Sequence, residues 1–182
     1  MILPGTARLR LRLISESDAP FILQLVNDPQ WLLHIGDRAV HSLDDARRYI
    51  RTGMLAMYER FGFGLYVVEL KSGTVPIGLC GLLKRDYLDA MDIGFAYLPQ
   101  HRGQGYALEA AEAVIQYARA SLGATRLAAI TSRTNDASAR LLGKLGFRLV
   151  GDLCVAEEGE SLRLYRADFR EAAEPPAAAR DD

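Results

Sequence analysis

A strand, a glycine-containing loop and a helix follow one another near the middle of the chain, and this succession most constrains the fold. Residues 91–98 alternate as a strand does, and a helix is predicted from Gly105 to about Ser121. Before the helix, Gly103 and Gly105 can adopt positive φ angles and let a ligand approach the backbone. Because the first N–H groups of a helix lack intrahelical partners, this segment predicts a cradle for a phosphate or pyrophosphate.

Two familiar phosphate-binding motifs are absent from this loop. The chain has no GxxxxGK[ST] sequence, so it is not a Walker loop. Gly103 and Gly105 match the first two glycines of GxGxxG, but Leu108 occupies the third position. From these residues alone, a plain turn into a helix stays open as the alternative.

The rest of the chain alternates between strand and helix periodicities. Strands cluster in the middle with helices between them, which predicts a mixed α/β (α+β) sheet and not a doubly wound parallel one. Residues 31–37 are expected to be irregular. The predicted strands are residues 8–14, 63–70, 76–83, 91–98, 126–132, 148–150 and 161–169, and the predicted helices are residues 19–26, 42–58, 105–121 and 135–145.

Length and charge restrict the classes of function. A chain of 182 residues suits one domain, and a net charge of −1 provides no global field for nucleic acid or an anionic membrane. No apolar run is long enough to span a membrane and no signal-peptide pattern follows Met1, so we expect a cytoplasmic protein. We expect an N-terminal lead over residues 1–7, a domain over 8–170 and a flexible tail over 171–182.

Arginines and cysteines each allow two interpretations. Arg8, Arg10 and Arg12 share one face of the first predicted strand, which we expect to be a solvated face, with nucleic-acid binding as the alternative. Cys80 and Cys154 lie far apart and form no CxxC pair, so we expect reduced thiols.

Four motifs occur in a fixed order and spacing. They are residues 6–12 (TARLRLR), 92–95 (DIGF), 102–110 (RGQGYALEA) and 135–147 (NDASARLLGKLGF). Together with Gln100, Gly103 and Gly105, which match the pattern [Q/R]-x-x-G-x-[G/A], they resemble the GNAT acetyltransferases. Within that family the chain looks like the RimJ/RimL-like branch, which acetylates ribosomal-protein N-termini and related acceptors.

The resemblance implies a fold and a reaction. It implies a GNAT-like fold, with a central, mostly antiparallel, twisted sheet flanked by helices. It also implies acetyl-CoA as cosubstrate, an amine acceptor (a protein N-terminus or a small molecule), no metal and no nucleic-acid partner. A homodimer is common in the family. A catalytically weak CoA-binding sensor or scaffold is the alternative function.

By the same resemblance, the glycine loop holds the CoA pyrophosphate and the strand before it pairs with the pantetheine arm. Strict alternation would put Met91, Ile93, Phe95 and Tyr97 on one face of that strand, and a bulge would upset it. The residues expected to bind acetyl-CoA are Phe95, Tyr97, Leu98, Gln100, His101, Arg102, Gly103, Gln104, Gly105, Tyr106, Ala107, Asn135 and Ser138.

Three residues are expected to be catalytic: Asp92, Asn135 and Ser138. An amine must lose a proton before it attacks a thioester, and Asp92 is the candidate general base, with a structural charge as the alternative. Asn135 is either a helix N-cap or a contact to the thioester, and Ser138 is a candidate donor to the departing sulfur. Many GNAT enzymes carry a tyrosine as general acid where this chain has Leu142.

The sequence says less about the residues that bind the amine acceptor than about those that bind the donor. The segment that covers the acceptor cleft in the family contains Trp31, His34, Asp37 and Tyr58 here. His34 and His41 have no metal-ligand partner at a recognisable spacing. Since no cysteine occupies a motif position, we expect direct attack by the amine and no acetyl-enzyme.

Overall fold

The computed structural model of the protein describes residues 5–155 and 161–169. The strands are β1 (Leu9–Arg12), β2 (Leu65–Leu70), β3 (Val75–Leu83), β4 (Met91–Tyr97), β5 (Arg126–Ser132), β6 (Arg148–Cys154) and β7 (Ser161–Asp168). The α-helices are α1 (Ala19–Val26), α2 (Pro29–His34), α3 (Leu43–Tyr49), α4 (Ala56–Phe61), α5 (Tyr106–Leu122) and α6 (Asp136–Lys144). Short 3₁₀ turns precede α1 at Glu16–Asp18 and follow β4 at Pro99–His101.

The strands form one sheet in the order β1-β2-β3-β4-β5-β7-β6. Every neighbouring pair is antiparallel except β4 and β5, which are parallel. The predicted strands at residues 63–70 and 76–83 correspond to β2 and β3, which form a hairpin with Leu70 opposite Val75 across the turn. The mixed, mostly antiparallel sheet with flanking helices is the fold class that the sequence predicted.

Two local predictions need correction. The stretch predicted to be irregular contains α2, because the Asp28 carboxylate accepts hydrogen bonds from Gln30 N and Trp31 N and Pro29 occupies the first helical position. The helix expected to end near residue 58 continues to Phe61 through a π-helical stretch between α3 and α4. Its predicted cap is confirmed, because the Ser42 hydroxyl accepts a hydrogen bond from Asp45 N.

Both faces of the sheet are covered by helices. Alternate residues of β2 point to opposite faces, so that Tyr66 and Val68 lie in a core beneath α5 while Val67 lies in a second core beneath α1 and α3. The same alternation persists through β4, where Ile93 belongs to the first core. The register between β3 and β4 runs without a shift, so no bulge interrupts it.

The arginine face of β1 is partly solvated, as expected, with the Arg10 side chain 54% and the Arg12 side chain 30% exposed, and it is also paired with carboxylates. Glu69 is only 3% exposed and accepts hydrogen bonds from Arg10 Nε at 2.9 Å and Arg12 Nε at 2.6 Å. Arg12 also bonds the buried Asp18 carboxylate at 2.6 Å. These ion pairs tie β1 to β2 and to the turn that opens α1.

Part of the predicted domain division falls outside the described residues. The first four residues of the expected lead, and the whole of the expected tail at residues 171–182, are not described. Within the described ranges, no helix combines the length and the apolar character that crossing a membrane requires.

We expect Asp18→Asn to lower the free energy of unfolding by about 1–3 kcal/mol at pH 7, because two charge-assisted hydrogen bonds are lost. Burial opposes ionisation of this carboxyl, but hydrogen bonds from Arg12 and Ser15 outweigh it and hold the pKa of Asp18 below its ordinary value. A depressed pKa stabilises the fold above the unfolded-state pKa, and this contribution disappears as the pH falls through the folded-state pKa. Urea unfolding at pH 7 and at about pH 3 should show the difference between variant and wild type shrinking in acid.

The control for this prediction is Asp44→Asn, which removes a carboxylate whose side chain is 89% exposed and paired with Arg47. We expect it to change the unfolding free energy by less than about 0.5 kcal/mol. If the Asp18 variant lost the same free energy of unfolding at both pH values, the ionic role of Asp18 would be contradicted.

Candidate active site

The parallel strands β4 and β5 pair at their first residues and then separate. Their register contains only Met91 opposite Leu127 and Asp92 opposite Ala128. On the other side of β4, Leu98 N donates to Ile77 O at 3.0 Å. Because successive residues of a strand alternate their hydrogen-bonding direction, the N–H and C=O groups of Phe95 and Tyr97 face the gap towards β5.

The loop after β4 ends in two glycines with left-handed backbones. Gly103 has φ +73° and Gly105 has φ +81°, a region that side-chain-bearing residues rarely adopt. Gly105 is the N-cap of α5, a helix of 17 residues, and no side chain caps it. The first-turn N–H groups of α5 are therefore directed at the gap with a helix dipole behind them.

Arg102 joins this loop to the rest of the site. Its Nε donates to Tyr97 O at 2.8 Å, and its Nη2 forms an ion pair with Asp28. Asp28 is the residue that caps α2. The Arg102 side chain therefore fixes the loop relative to both β4 and α2.

Arg8 supports the loop from the other side. Its Nη1 donates to Gln104 O at 3.1 Å, its Nε pairs with Glu109 at 2.7 Å, and its guanidinium lies 4.6 Å from the ring centre of Tyr106. Glu109 is thus paired with Arg8 and not free in solvent. It anchors β1 to the first turn of α5.

Two cavities meet at the gap. The first, of about 440 Å³, lies between the glycine loop and α6, and the second, of about 310 Å³, extends towards α3 and the end of β3. Seven residues line both cavities: Trp31, His34, Ile35, Phe95, Ala96, Asn135 and Ser138. The shared lining places the two cavities side by side at this junction.

Most residues expected to bind acetyl-CoA line the first cavity. Leu98, Gln100 and Gln104 do not: Leu98 is buried in the second core, and Gln104 Nε2 donates to Gln100 O within the loop. Those that line it are Phe95, Tyr97, His101, Arg102, Gly103, Gly105, Tyr106, Ala107, Asn135 and Ser138. Arg140 and Lys144 of α6 line it as well.

Asn135 and Ser138 come together at the junction. The Asn135 side chain accepts a hydrogen bond from Ser138 N at 3.0 Å, so Asn135 is the N-cap of α6. Leu142, one turn further along, is fully buried and lines the second cavity. An aliphatic side chain has no proton to donate, so Leu142 supplies no general acid.

Asp92 lines the second cavity but is held in an ion pair. It is 2% exposed, and its Oδ2 accepts a hydrogen bond from Arg85 Nε at 2.7 Å. The ion pair fixes the position of the Asp92 side chain in the cavity wall.

Of the four residues expected on the acceptor side, the structure brings two to the site. Trp31 and His34 of α2 line both cavities, and His34 Nδ1 lies 2.8 Å from Ser132 Oγ. Asp37 lines neither and accepts a hydrogen bond from Ala39 N. Tyr58 also lies outside the cavities, stacked on Tyr66, where burial raises its pKa to about 12.

Several residues of the second cavity could not be found from the sequence. They carry no motif and come from separate elements. Among them are Arg38, Tyr49, Met57, Lys84 and Arg85. Only the folded chain brings them together.

The two cysteines lie outside both cavities. Cys80 is fully buried in the first core, where burial raises the pKa of its thiol to about 12. Cys154 is exposed on β6 at the edge of the sheet. Among the described side chains, no group of three or more His, Cys, Asp or Glu residues is arranged to hold a metal ion.

The separated strands, the glycine loop before α5 and the two adjoining cavities form a site suited to a transferase that binds a phosphate-bearing cosubstrate beside a second molecule. The sequence matches the acetyltransferase (GNAT) domain over residues 8–148, so the chain belongs to the GNAT acetyltransferase family. It is an acetyl-CoA-dependent N-acetyltransferase.

Individual relatives agree with this assignment. The uncharacterized N-acetyltransferase YoaA of Bacillus subtilis (strain 168) is 30% identical over 150 residues, which cover 81% of this chain and 84% of YoaA. An acetyltransferase structure from Agrobacterium tumefaciens str. C58 has TM-score 0.76 at 26% identity, covering 92% and 94% of the two chains. RimL, a ribosomal L7/L12 alpha-N-protein acetyltransferase, has TM-score 0.77 at 19% identity, covering 93% and 94%, and has also been solved with coenzyme A.

We expect Gly103→Val to raise the Kd for acetyl-CoA well over tenfold, because a β-branched side chain would occupy the space through which the pyrophosphate approaches. The control is Gly123→Val at the other end of α5, where φ is +65° and, as at Gly103, a Cβ would meet nothing within 4 Å. Both variants carry a backbone strain of about 1–2 kcal/mol, but only the first lies at the cavity.

Isothermal titration with acetyl-CoA and thermal unfolding of both variants measure these effects. A Kd unchanged in the Gly103 variant would mean that the pyrophosphate binds elsewhere. If both variants lost the same affinity for acetyl-CoA, the loss would result from reduced stability of the fold and not from an obstructed pyrophosphate site.

Proposed function

We propose that the enzyme transfers the acetyl group of acetyl-CoA to a primary amine by direct attack, and that the amine belongs to a protein N-terminus or a small molecule. The observation that carries this proposal is the junction of the two cavities at Phe95, Asn135 and Ser138. A donor bound in one cavity and an amine bound in the other would meet there. The motifs at residues 92–95 and 135–147 support a relationship to the RimJ/RimL-like branch.

The first cavity suits the donor. Backbone groups of Phe95 and Tyr97 would pair with the pantetheine arm as an added strand does, and N–H groups from Arg102 to Ala107 would hold the pyrophosphate. Arg140 and Lys144 supply positive charge along the same cavity. Bound acetyl-CoA supplies an acetyl thioester, which the amine attacks with release of the CoA thiol.

The side chains at the junction would position the reacting groups. Asn135 is already fixed by its bond to Ser138 N, and the hydroxyl of Ser138 is the candidate donor to the departing sulfur. Positioning of the amine against the thioester should supply most of the acceleration. No acetyl-enzyme is proposed, since Cys80 is buried away from the cavities and Cys154 is at the sheet edge.

Asp92 is the proposed acceptor of the amine proton, directly or through water. It lines the cavity assigned to the amine, and its negative charge would attract the ammonium form. The ion pair with Arg85 holds the carboxylate in place. A homodimer remains a prediction of the family resemblance.

The alternative function, a CoA-binding sensor or scaffold, draws support from Leu142 in place of the usual tyrosine. Titration with acetyl-CoA and a thiol-release assay with a panel of amines separate the two functions. We expect binding and turnover with at least one amine of the panel. Tight binding without turnover on peptides, amino acids, amino sugars and polyamines would favour the sensor.

We expect Asp92→Asn to lower kcat/KM about a hundredfold at pH 7, the usual size of a general-base contribution. The loss should shrink as the pH approaches the pKa of the amine, because more acceptor then arrives deprotonated. The Kd for acetyl-CoA should hardly change, since the proposed donor contacts lie in the other cavity. The pH dependence of kcat/KM for the variant and wild type measures this.

The matched control is Asp86→Asn, an exposed residue that lines neither cavity. A pH-independent loss with a lower melting temperature would identify Asp92 as structural. A folded variant with wild-type activity at pH 7 would remove it from the mechanism.

A further inference from the structure

More of the charged side chains that line the second cavity are positive than negative. Within the described part of the chain they are Arg38, Lys84, Arg85 and Asp92. Arg85 and Asp92 form an ion pair at 2.7 Å and offset each other. Two positive charges, on Arg38 and Lys84, remain to be balanced.

Neither of these two cations pairs with a carboxylate among the described ion pairs. Arg38 Nη2 donates to Ile35 O at 3.1 Å, and Lys84 Nζ donates to Leu88 O at 3.3 Å. A carbonyl oxygen satisfies one hydrogen-bond donor but leaves the net charge unchanged. Both side chains therefore keep a charge and further donors for a ligand.

Tyr49 lines the second cavity together with the positively charged side chains of Arg38 and Arg85. Burial raises the pKa of its hydroxyl. Arg38 and Arg85 act in the opposite direction on this pKa. They come from two different connections, one after α2 and one after β3.

Such a cavity selects its occupant by charge. Lys84 is partly buried and Arg38 is exposed. Both charges attract an anionic group and repel an additional cation, and the interaction is stronger at the partly buried Lys84 than it would be in water. The reacting amine itself would lie at the junction, beside Phe95, Asn135 and Ser138. The rest of the acceptor would extend towards Arg38, Lys84 and Tyr49.

We propose that the acceptor is a primary amine that also carries an anionic group, a carboxylate or a phosphate, held by Arg38 and Lys84. This assignment rests on the proposed function of the second cavity as the acceptor site. A cavity of about 310 Å³ holds a small molecule or the first residues of a peptide. Polycations such as polyamines are poor acceptors for this site.

Matched amines that differ in one charge test the proposal. For phosphate the pair is glucosamine 6-phosphate against glucosamine, and for carboxylate it is the dipeptide amide Ser-Asp-NH₂ against Ser-Asn-NH₂. Spermidine serves as the polycation. We expect the anionic member of at least one pair to have a kcat/KM about tenfold or more above its neutral partner, mainly through KM, as two charge-assisted hydrogen bonds allow.

Substitutions test which side chains cause the preference for the anionic amine. We expect Arg38→Gln with Lys84→Gln to reduce the preference within the favoured pair about tenfold, with the loss of kcat/KM falling mainly on the anionic member. The control, Arg47→Gln, removes an exposed cation of α3 that lines neither cavity, and should leave the preference unchanged. Raising the salt concentration should reduce the preference of the wild type and have less effect on the double variant.

Binding is measured alongside turnover by calorimetry with the same amines and CoA-saturated enzyme. Equal or better binding of the neutral partners or of spermidine would overturn the proposal, as would a double variant that loses both members of a pair equally. Preferential binding of the anionic amine that depends on Arg38 and Lys84, but without acetyl transfer, would uphold the charge selectivity and contradict the proposed function. Failure of the charge selectivity and failure of the proposed acetyl transfer therefore give different results.

Discussion

The separation of β4 from β5 after Asp92 is the constraint on which the rest of the site depends. Two strands that stayed paired would satisfy each other's backbone groups and close the sheet. Here the backbone groups of Phe95 and Tyr97 face the gap, and the two cavities meet across it. The continuous core on both faces of the sheet stabilises the two strands on either side of this opening.

A second constraint ties the glycine loop to the junction of the two cavities. Arg102 connects the glycine loop to Tyr97 O and to Asp28, the residue that caps α2. Since α2 carries Trp31 and His34 to the junction, the position of these two side chains follows from the same ion pair that positions the loop. A change at Asp28 or Arg102 would therefore alter both cavities together.

The parts of the structure that depend only on a few adjacent residues could be predicted from the sequence. The alternation of β4, the glycine loop and the N-cap Asn135 each depend on a few adjacent residues, and the structure has them where the sequence indicated. The helix α2 is only six residues long, too short for a periodicity to reveal. Arg38 and Lys84 belong to one cavity only because distant segments meet in the fold, and no spacing along the chain records that meeting.

Residue-level amide hydrogen exchange, measured by NMR with and without CoA, tests the central claim most directly. If the pantetheine arm pairs with β4, the amides of Phe95 and Tyr97 should exchange about tenfold or more slowly in the CoA-saturated protein. Amides of the edge strand β6 should be unaffected. Unchanged exchange at Phe95 and Tyr97 under saturating CoA would contradict the claim that the donor enters between the separated strands.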